Sequence, residues 1–235
     1  MKKVKKKTDS GNYSKWMKIS AWSAIALVVL VVISTIITQT LSIISGSQLI
    51  ILWVGILQSF FGLILNGLFF FGFYKIGNRY NSKILKIVSV LIILFYVVSL
   101  IVQYSYFQQV SAELGQIYLA KATGLVSSLP ANATEEQANQ AFSSLFQILL
   151  QDEAFVEGAR IILFLFIAYS LILGILTILV GVALIRLKEK IHLARQTGIL
   201  LIVGVLTSII IVGLFVLLVA FIMQIMMLFR ESSKK

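Results

Sequence analysis

His192 is the only histidine in this chain and cysteine is absent, so the side chains that most often bind metals or act as nucleophiles are nearly missing. A structural zinc site takes four ligands, mainly Cys and His. A solitary histidine between Ile191 and Leu193 in a basic turn reads instead as an interfacial residue. Thiolate chemistry, disulfides and palmitoylation are excluded outright. There is no P-loop, HExxH pair, GxSxG elbow or dinucleotide fingerprint. No catalytic residue, metal ligand or cofactor is assigned, and no enzyme activity is expected.

What the spacing offers is helix contact. Gly55, Ser59, Gly62 and Asn66 recur at intervals of four, three and four, and Ser170, Gly174, Thr177 and Gly181 repeat that pattern. Gly204 and Ser208 add a third small pair four apart. Each set forms one stripe on a helix. Small residues let helix backbones approach closely in a membrane, and Ser, Thr or Asn can bond across the contact, so these ten positions are expected to be packing seams. Gln58, Asn66, Gln103 and Gln224 are the most polar groups at the same depth; they would bond across helices or line a path for a neutral solute.

The elements that must carry these stripes are five apolar runs: Ile19 to Leu41, Leu49 to Phe73, Ile87 to Tyr106, Ile161 to Ile185 and Gly198 to Leu228. Each meets the roughly 20 residues that a membrane-crossing helix needs, and none contains Asp, Glu, Lys, Arg or His. A composition of 59% hydrophobic and 12% charged residues lies outside the soluble range. Ionisable groups at membrane depth mark proton relays and coupling-ion sites, so their lack disfavours an ion-coupled carrier or an intramembrane protease.

Fifteen of the 20 Lys and Arg residues fall in three short segments: 1–18, 74–86 and 186–197. Basic residues near span ends are retained in the cytoplasm, which places these segments inside. The loop 107–160 holds Glu113, Glu135, Glu136, Asp152, Glu153 and Glu157 against Lys121 and Arg160 and alternates to the outside. Asn132-Ala133-Thr134 within it is a glycosylation acceptor pattern, which suits that face. The net charge of +11 is thus a topology signal, with no reading elements for nucleic acid. Lys2 to Lys7 has an affinity for anionic lipid as its functional alternative.

The outer loop has structure of its own. Val110, Leu114 and Ile117 recur at helical spacing, and beyond Pro130 a second segment sets Ala138, Phe142, Leu145, Phe146 and Leu149 on one face. Asn132, three residues before Glu135, resembles an N-cap. Two helices are expected here, either as a folded-back hairpin that caps the outer surface or as an amphipathic pair lying flat on the lipid. The last run, of 31 residues, exceeds a single span but halves into pieces too short to cross. It is read as one tilted helix that carries Arg230, Lys234 and Lys235 to the outer side.

Gly174 to Gly181, Thr197 to Gly204 and Ile211 to Val216, together with Phe71 to Lys75 and Tyr80 to Lys83, resemble the archaeal membrane proteins grouped as domain of unknown function 996. That resemblance implies an archaeal plasma-membrane protein and brings no functional residue with it.

The reading is an all-α polytopic bundle. It comprises a basic cytoplasmic segment (1–18), spans one to three (19–106), an extracytoplasmic helical hairpin (107–160), spans four and five (161–228) and a charged tail (229–235). Its role is expected to be a non-enzymatic interaction or assembly subunit of the plasma membrane, contacting the lipid bilayer and either membrane-protein partners or its own copies. The alternative is a channel or permease for a small uncharged solute.

Overall fold

The computed structural model describes residues 2–44, 48–128, 130, 134–208 and 211–234. Among them there is no strand. The helices are α1 (Lys2–Ile44), α2 (Gln48–Arg79), α3 (Lys83–Val102), α4 (Gln108–Ser127), α5 (Glu135–Gln151), α6 (Glu153–Ile185), α7 (Ala194–Leu206) and α8 (Ile211–Ser232). A π-turn, Gln103–Phe107, carries α3 into α4. Five helical stretches are long and apolar enough to cross a membrane: Gly11–Thr40, Val54–Arg79, Lys83–Ser128, Glu153–Ile185 and Val212–Ser232. The chain divides into two compact units, Met1–Val98 with Ile172–Lys235, and Ser99–Leu171.

In the first unit the packed core lies toward the basic turns. Met17, Ala21 and Ala24 of α1, Phe69, Phe73 and Ile76 of α2, and Leu85, Val88 and Ile92 of α3 are buried together with Val180, Ala183 and Leu184 of α6 and Met227 and Leu228 of α8. The same helices are bare farther from those turns: Val28, Val29, Val31, Val32, Ile33, Ile36 and Ile37 of α1 and Leu57, Phe60, Phe61 and Ile64 of α2 are exposed apolar side chains. Apolar surface gains nothing by leaving lipid, so contact here depends on how closely backbones approach. Gly72 supplies one such approach, since a Cβ on it would lie 2.6 Å from the Ser20 Cβ of α1.

The α2–α3 turn is tight. Ser82 N donates to the Gly77 carbonyl at 2.9 Å, and Asn81 adopts φ 56°, a left-handed conformation that Asn tolerates better than most residues. This brings Arg79 and Tyr80 to the end of the bundle.

The last apolar run is not one tilted helix. It breaks after Leu206: Thr207 and Ser208 turn their hydroxyls onto the Val203 and Val205 carbonyls at 2.7 Å each, adding a second bond to carbonyls that already accept the Thr207 and Ser208 amides. α8 then packs back along α7, with Leu217 against Gly204, and a Cβ on Gly213 would overlap the Thr207 carbonyl. The C-terminal residues accordingly return to the basic turns rather than emerging on the opposite side. Arg230 reaches His192, and Lys234 reaches the Lys190 carbonyl.

In the second unit α4 continues α3 and α5 follows Pro130, so both expected helices of the loop are present. The start of α5 differs from the expectation at Asn132: its N-cap is Thr134, in a reciprocal capping box with Gln137. Asn132 itself lies outside the described residues, as do the side chains of Ala138 and Trp53. The expected apolar face of α5 divides. Leu145 and Leu149 are buried, whereas Phe142 and Phe146 are 68% and 63% exposed. Leu114 of α4 fits against Gly158 of α6, and Lys121 pairs with Asp152 at 3.2 Å.

Candidate functional site

The most concentrated polar chemistry lies where four segments of the first unit meet. Glu231, in the last turn of α8, is 1% exposed. Burying a carboxylate costs several kcal/mol unless it is paired and hydrogen-bonded, and here the pairing is supplied from three directions. The Tyr80 hydroxyl donates to Glu231 Oε2 at 2.8 Å, the Tyr13 hydroxyl donates to the same oxygen at 3.3 Å, and Lys234 Nζ forms an ion pair with Oε1. Lys234 also donates to the Tyr80 hydroxyl at 3.4 Å and to the Lys190 carbonyl at 3.3 Å.

A ring of further contacts holds this group. The Arg79 guanidinium stands 4.3 Å from the centre of the Tyr13 ring, a cation–π distance. Ser14 Oγ donates to the Ser232 carbonyl. Arg230 Nη1 lies 2.9 Å from His192 Nδ1, and since a guanidinium only donates, Nδ1 is the acceptor. Trp22 meets Phe229 edge to face at 5.6 Å. α1, the α2–α3 turn, the α6–α7 turn and the end of α8 are thereby tied at one place.

The electrostatics match the geometry. Burial pushes the Tyr80 phenol above its ordinary pKa, and the hydrogen bond to Glu231 and its charge push it further, so the phenol stays protonated and keeps donating. Burial alone would lower Lys234, but its hydrogen bond to Glu231 and that carboxylate's charge outweigh this and raise it. Ammonium and phenol are thus both held in the forms that donate to Glu231. With the carboxylate enclosed, the group forms a clasp between the four segments.

Beside the clasp, a cleft of about 390 Å³ is lined by Lys188, His192, Arg195 and Gln196. Among the described residues no three His, Asp or Glu side chains come together as a metal set.

The residues singled out by spacing fall into distinct settings. Gly174 and Gly181 of α6 face α7: a Cβ on Gly174 would lie 3.3 Å from Val205 Cγ1, and one on Gly181 would lie 2.7 Å from the Gly198 carbonyl oxygen. Thr177, on the same stripe, donates to the Leu173 carbonyl at 2.8 Å, within its own helix, and Ser170 is exposed. Gly204 and Ser208 belong to the α7–α8 reversal.

On α2 the geometry differs. A Cβ at Gly55 or at Gly62 would meet no atom within 4 Å, Ser59 is half-buried, and Asn66 Nδ2 donates to the Gly62 carbonyl at 2.9 Å, inside its own helix. α2 comes close to other helices of this chain at Gly72, against α1, and at Gly77, where a Cβ would lie 3.0 Å from the Lys86 amide nitrogen of α3. Of the polar residues at depth, Gln224 is buried and Gln103 is exposed.

The clasp itself was not among the expected features. Its sequence signal is slight: Glu231 is the one acidic residue of the tail, three before Lys234, and Tyr13 and Tyr80 lie in segments otherwise notable for their lysines and arginines.

The model of a family described as "Protein of unknown function (DUF973)" matches residues 1–145, well over half of the chain and all of α1 to α4. It is a different family of unknown function from the one that the second hairpin resembles, so the archaeal expectation drawn from that resemblance loses its basis. No curated protein and no solved structure matches the chain.

Proposed function

The chain belongs to the DUF973 family, and from that premise we propose that it is a non-enzymatic interaction or assembly subunit of the plasma membrane, docking through α2 onto a helix of another membrane protein or of a second copy. The observation that carries this reading is Gly62. It lies on a stripe of small residues built for close helix contact, with Ser59 and Asn66 beside it, yet open space faces it in this chain. Exposed Phe60, Phe61 and Ile64 flank it. The other stripes of this kind are filled from within, by α7 against α6 and by α8 against α7.

The orientation proposed with it sets the N-terminal segment and the basic turns in the cytoplasm and residues 107–160 outside. It is supported by charge: Arg230 and Lys234 join Lys188, Lys190, Arg79 and Lys83 at the same end of the first unit, which removes the one group of basic residues that ran against the positive-inside pattern.

The test is subunit counting in lipid nanodiscs, together with photo-crosslinking from position 62. Assembly or a defined crosslinked partner, lost in Gly62→Leu while the bundle stays folded, is the expected result. A monomer with no crosslink would overturn the reading. Solute flux in liposomes abolished by Asn66→Leu would replace it with a permease.

A further inference from the structure

We propose that the groove between α1 and α2 near the basic end of the first unit binds one anionic phospholipid, with its headgroup on Lys15 and Lys18 and an acyl chain along the groove. The groove has a volume of about 480 Å³; α1 contributes Lys15, Lys18, Trp22 and Ala26, and α2 contributes Leu65 and Leu68. Steps of three, four and four put the α1 residues on one stripe of the helix. From Lys15 to Ala26 that stripe runs about 16 Å at the α-helical rise, the depth of one leaflet of a hydrocarbon core about 30 Å thick.

Polarity is graded along it. Both cations stand at one end, and both lysines are exposed with no carboxylate against them among the described residues. A third cation is close by on α2, where Lys75 Nζ lies 5.1 Å over the Phe71 ring, and Phe71 meets Trp16 of α1 edge to face at 5.0 Å. Trp22 follows at the level where amphipathic rings prefer the interface and is 61% exposed. Beyond it the walls are Ala26, Leu65 and Leu68. Ser23, at the same level, turns its hydroxyl onto the Ser20 carbonyl at 2.8 Å. Cationic at one end and apolar over a leaflet's depth, the groove complements an anionic headgroup with its attached chain. A neutral zwitterionic lipid would fill the apolar part but leave the lysines unmatched.

The experiment uses the full chain carrying Trp16→Phe and Trp53→Phe, so that Trp22 is the sole indole. It is placed in phosphatidylcholine vesicles with either dibrominated phosphatidylglycerol or dibrominated phosphatidylcholine as quencher. Each lysine near a membrane surface favours an anionic lipid by about five-fold. Phosphatidylglycerol should therefore quench Trp22 at a mole fraction at least about five-fold lower than phosphatidylcholine. Lys15→Ala with Lys18→Ala should abolish that preference, and Ala26→Phe, at an exposed position, should weaken quenching by blocking the chain. Equal quenching by the two lipids would overturn the proposal. So would a preference that survives the double alanine variant, which would assign the attraction to the lysines of residues 2–7.

Discussion

The phenol of Tyr80 and the carboxylate of Glu231 lie 2.8 Å apart across 151 residues of chain. One belongs to the turn after α2, the other to the last turn of α8, and their bond is one of several that tie the C-terminal residues to the basic turns, beside Arg230 with His192 and Lys234 with the Lys190 carbonyl.

Removing Tyr80's hydroxyl should therefore be costly. Tyr80→Phe deletes one hydrogen bond to a charged group and is expected to lower stability in detergent by about 1.5–3 kcal/mol. Lys234→Met leaves Glu231 buried beside two phenols without its ammonium; since Lys234 is partly solvent-exposed, about 1–2 kcal/mol is expected. Unfolding of both single variants and the double variant, read as a double-mutant cycle, should give a coupling of at least 0.5 kcal/mol. Additivity would mean that the two residues do not act through one carboxylate.

Alkaline pH should open the same clasp. Tyr80 and Lys234 are both raised from ordinary values of 10.0 and 10.5. A group whose folded pKa exceeds its unfolded one adds stability that is complete below the unfolded value and is lost as pH rises through the folded one. The melting temperature should be flat from neutral pH to about 9 and fall above about 10, with a shallower fall in Tyr80→Phe. A melting temperature unchanged to pH 11.5 would contradict this.

Glycine replacements should separate the two kinds of stripe. Gly181→Leu drives a side chain into the α7 backbone at Gly198 and is expected to destabilise the bundle by several kcal/mol, beyond the usual 1–3 kcal/mol of overpacking. Gly62→Leu meets open space and should leave monomer unfolding within about 0.5 kcal/mol of the parent. Thermal unfolding in detergent, below the concentration at which copies associate, makes the comparison.

In the second unit, caps should act locally. Asp152 Oδ1 accepts from Phe155 N at 3.1 Å and pairs with Lys121; the Phe155 amide and Lys121 hold its carboxyl below the usual range. That contribution is present above the ordinary carboxylate pKa and is lost as pH falls through the lowered one. Asp152→Ala should loosen the first turn of α6, and Thr134→Ala should cost about 0.5–2 kcal/mol. Faster amide exchange is expected at residues 153–157 and 135–139 respectively, without change in the first unit.

Cysteine scanning tests the reversal of the last run, and the absence of native cysteine makes it clean. Lys188→Cys and Ser233→Cys should be labelled by an impermeant thiol reagent from the same side of sealed vesicles. Labelling from opposite sides would restore a crossing from residue 194 to 232.

The helical class and the first four stretches long and apolar enough to cross a membrane were legible because each apolar run is long and uncharged, a signal that needs no partner to interpret. Gly174 and Gly181 stand out by spacing alone, and α7 lies against both. Two features were not legible. A run of 31 residues permits either a tilt or a break, and the choice lies in Thr207, Ser208 and Gly213, whose hydroxyls and missing side chain favour a reversal only once α7 and α8 face each other. The clasp joins residues 218 positions apart, and no local periodicity reports a pairing of that span. The stripe on α2 reads the same in sequence as those that are filled; only the packed chain distinguishes them.

Order of synthesis gives the clasp a second meaning. Glu231 follows Tyr13 by 218 residues, roughly 10–40 s of translation at ordinary rates. Tyr80 precedes Glu231 by 151 residues, so for most of that interval Tyr13, Arg79 and Tyr80 have been made and still lack the carboxylate they surround. The buried glutamate is therefore the last-made member of its cluster, and its bonds with Tyr13 and Tyr80 close only after every segment that carries them has been synthesised.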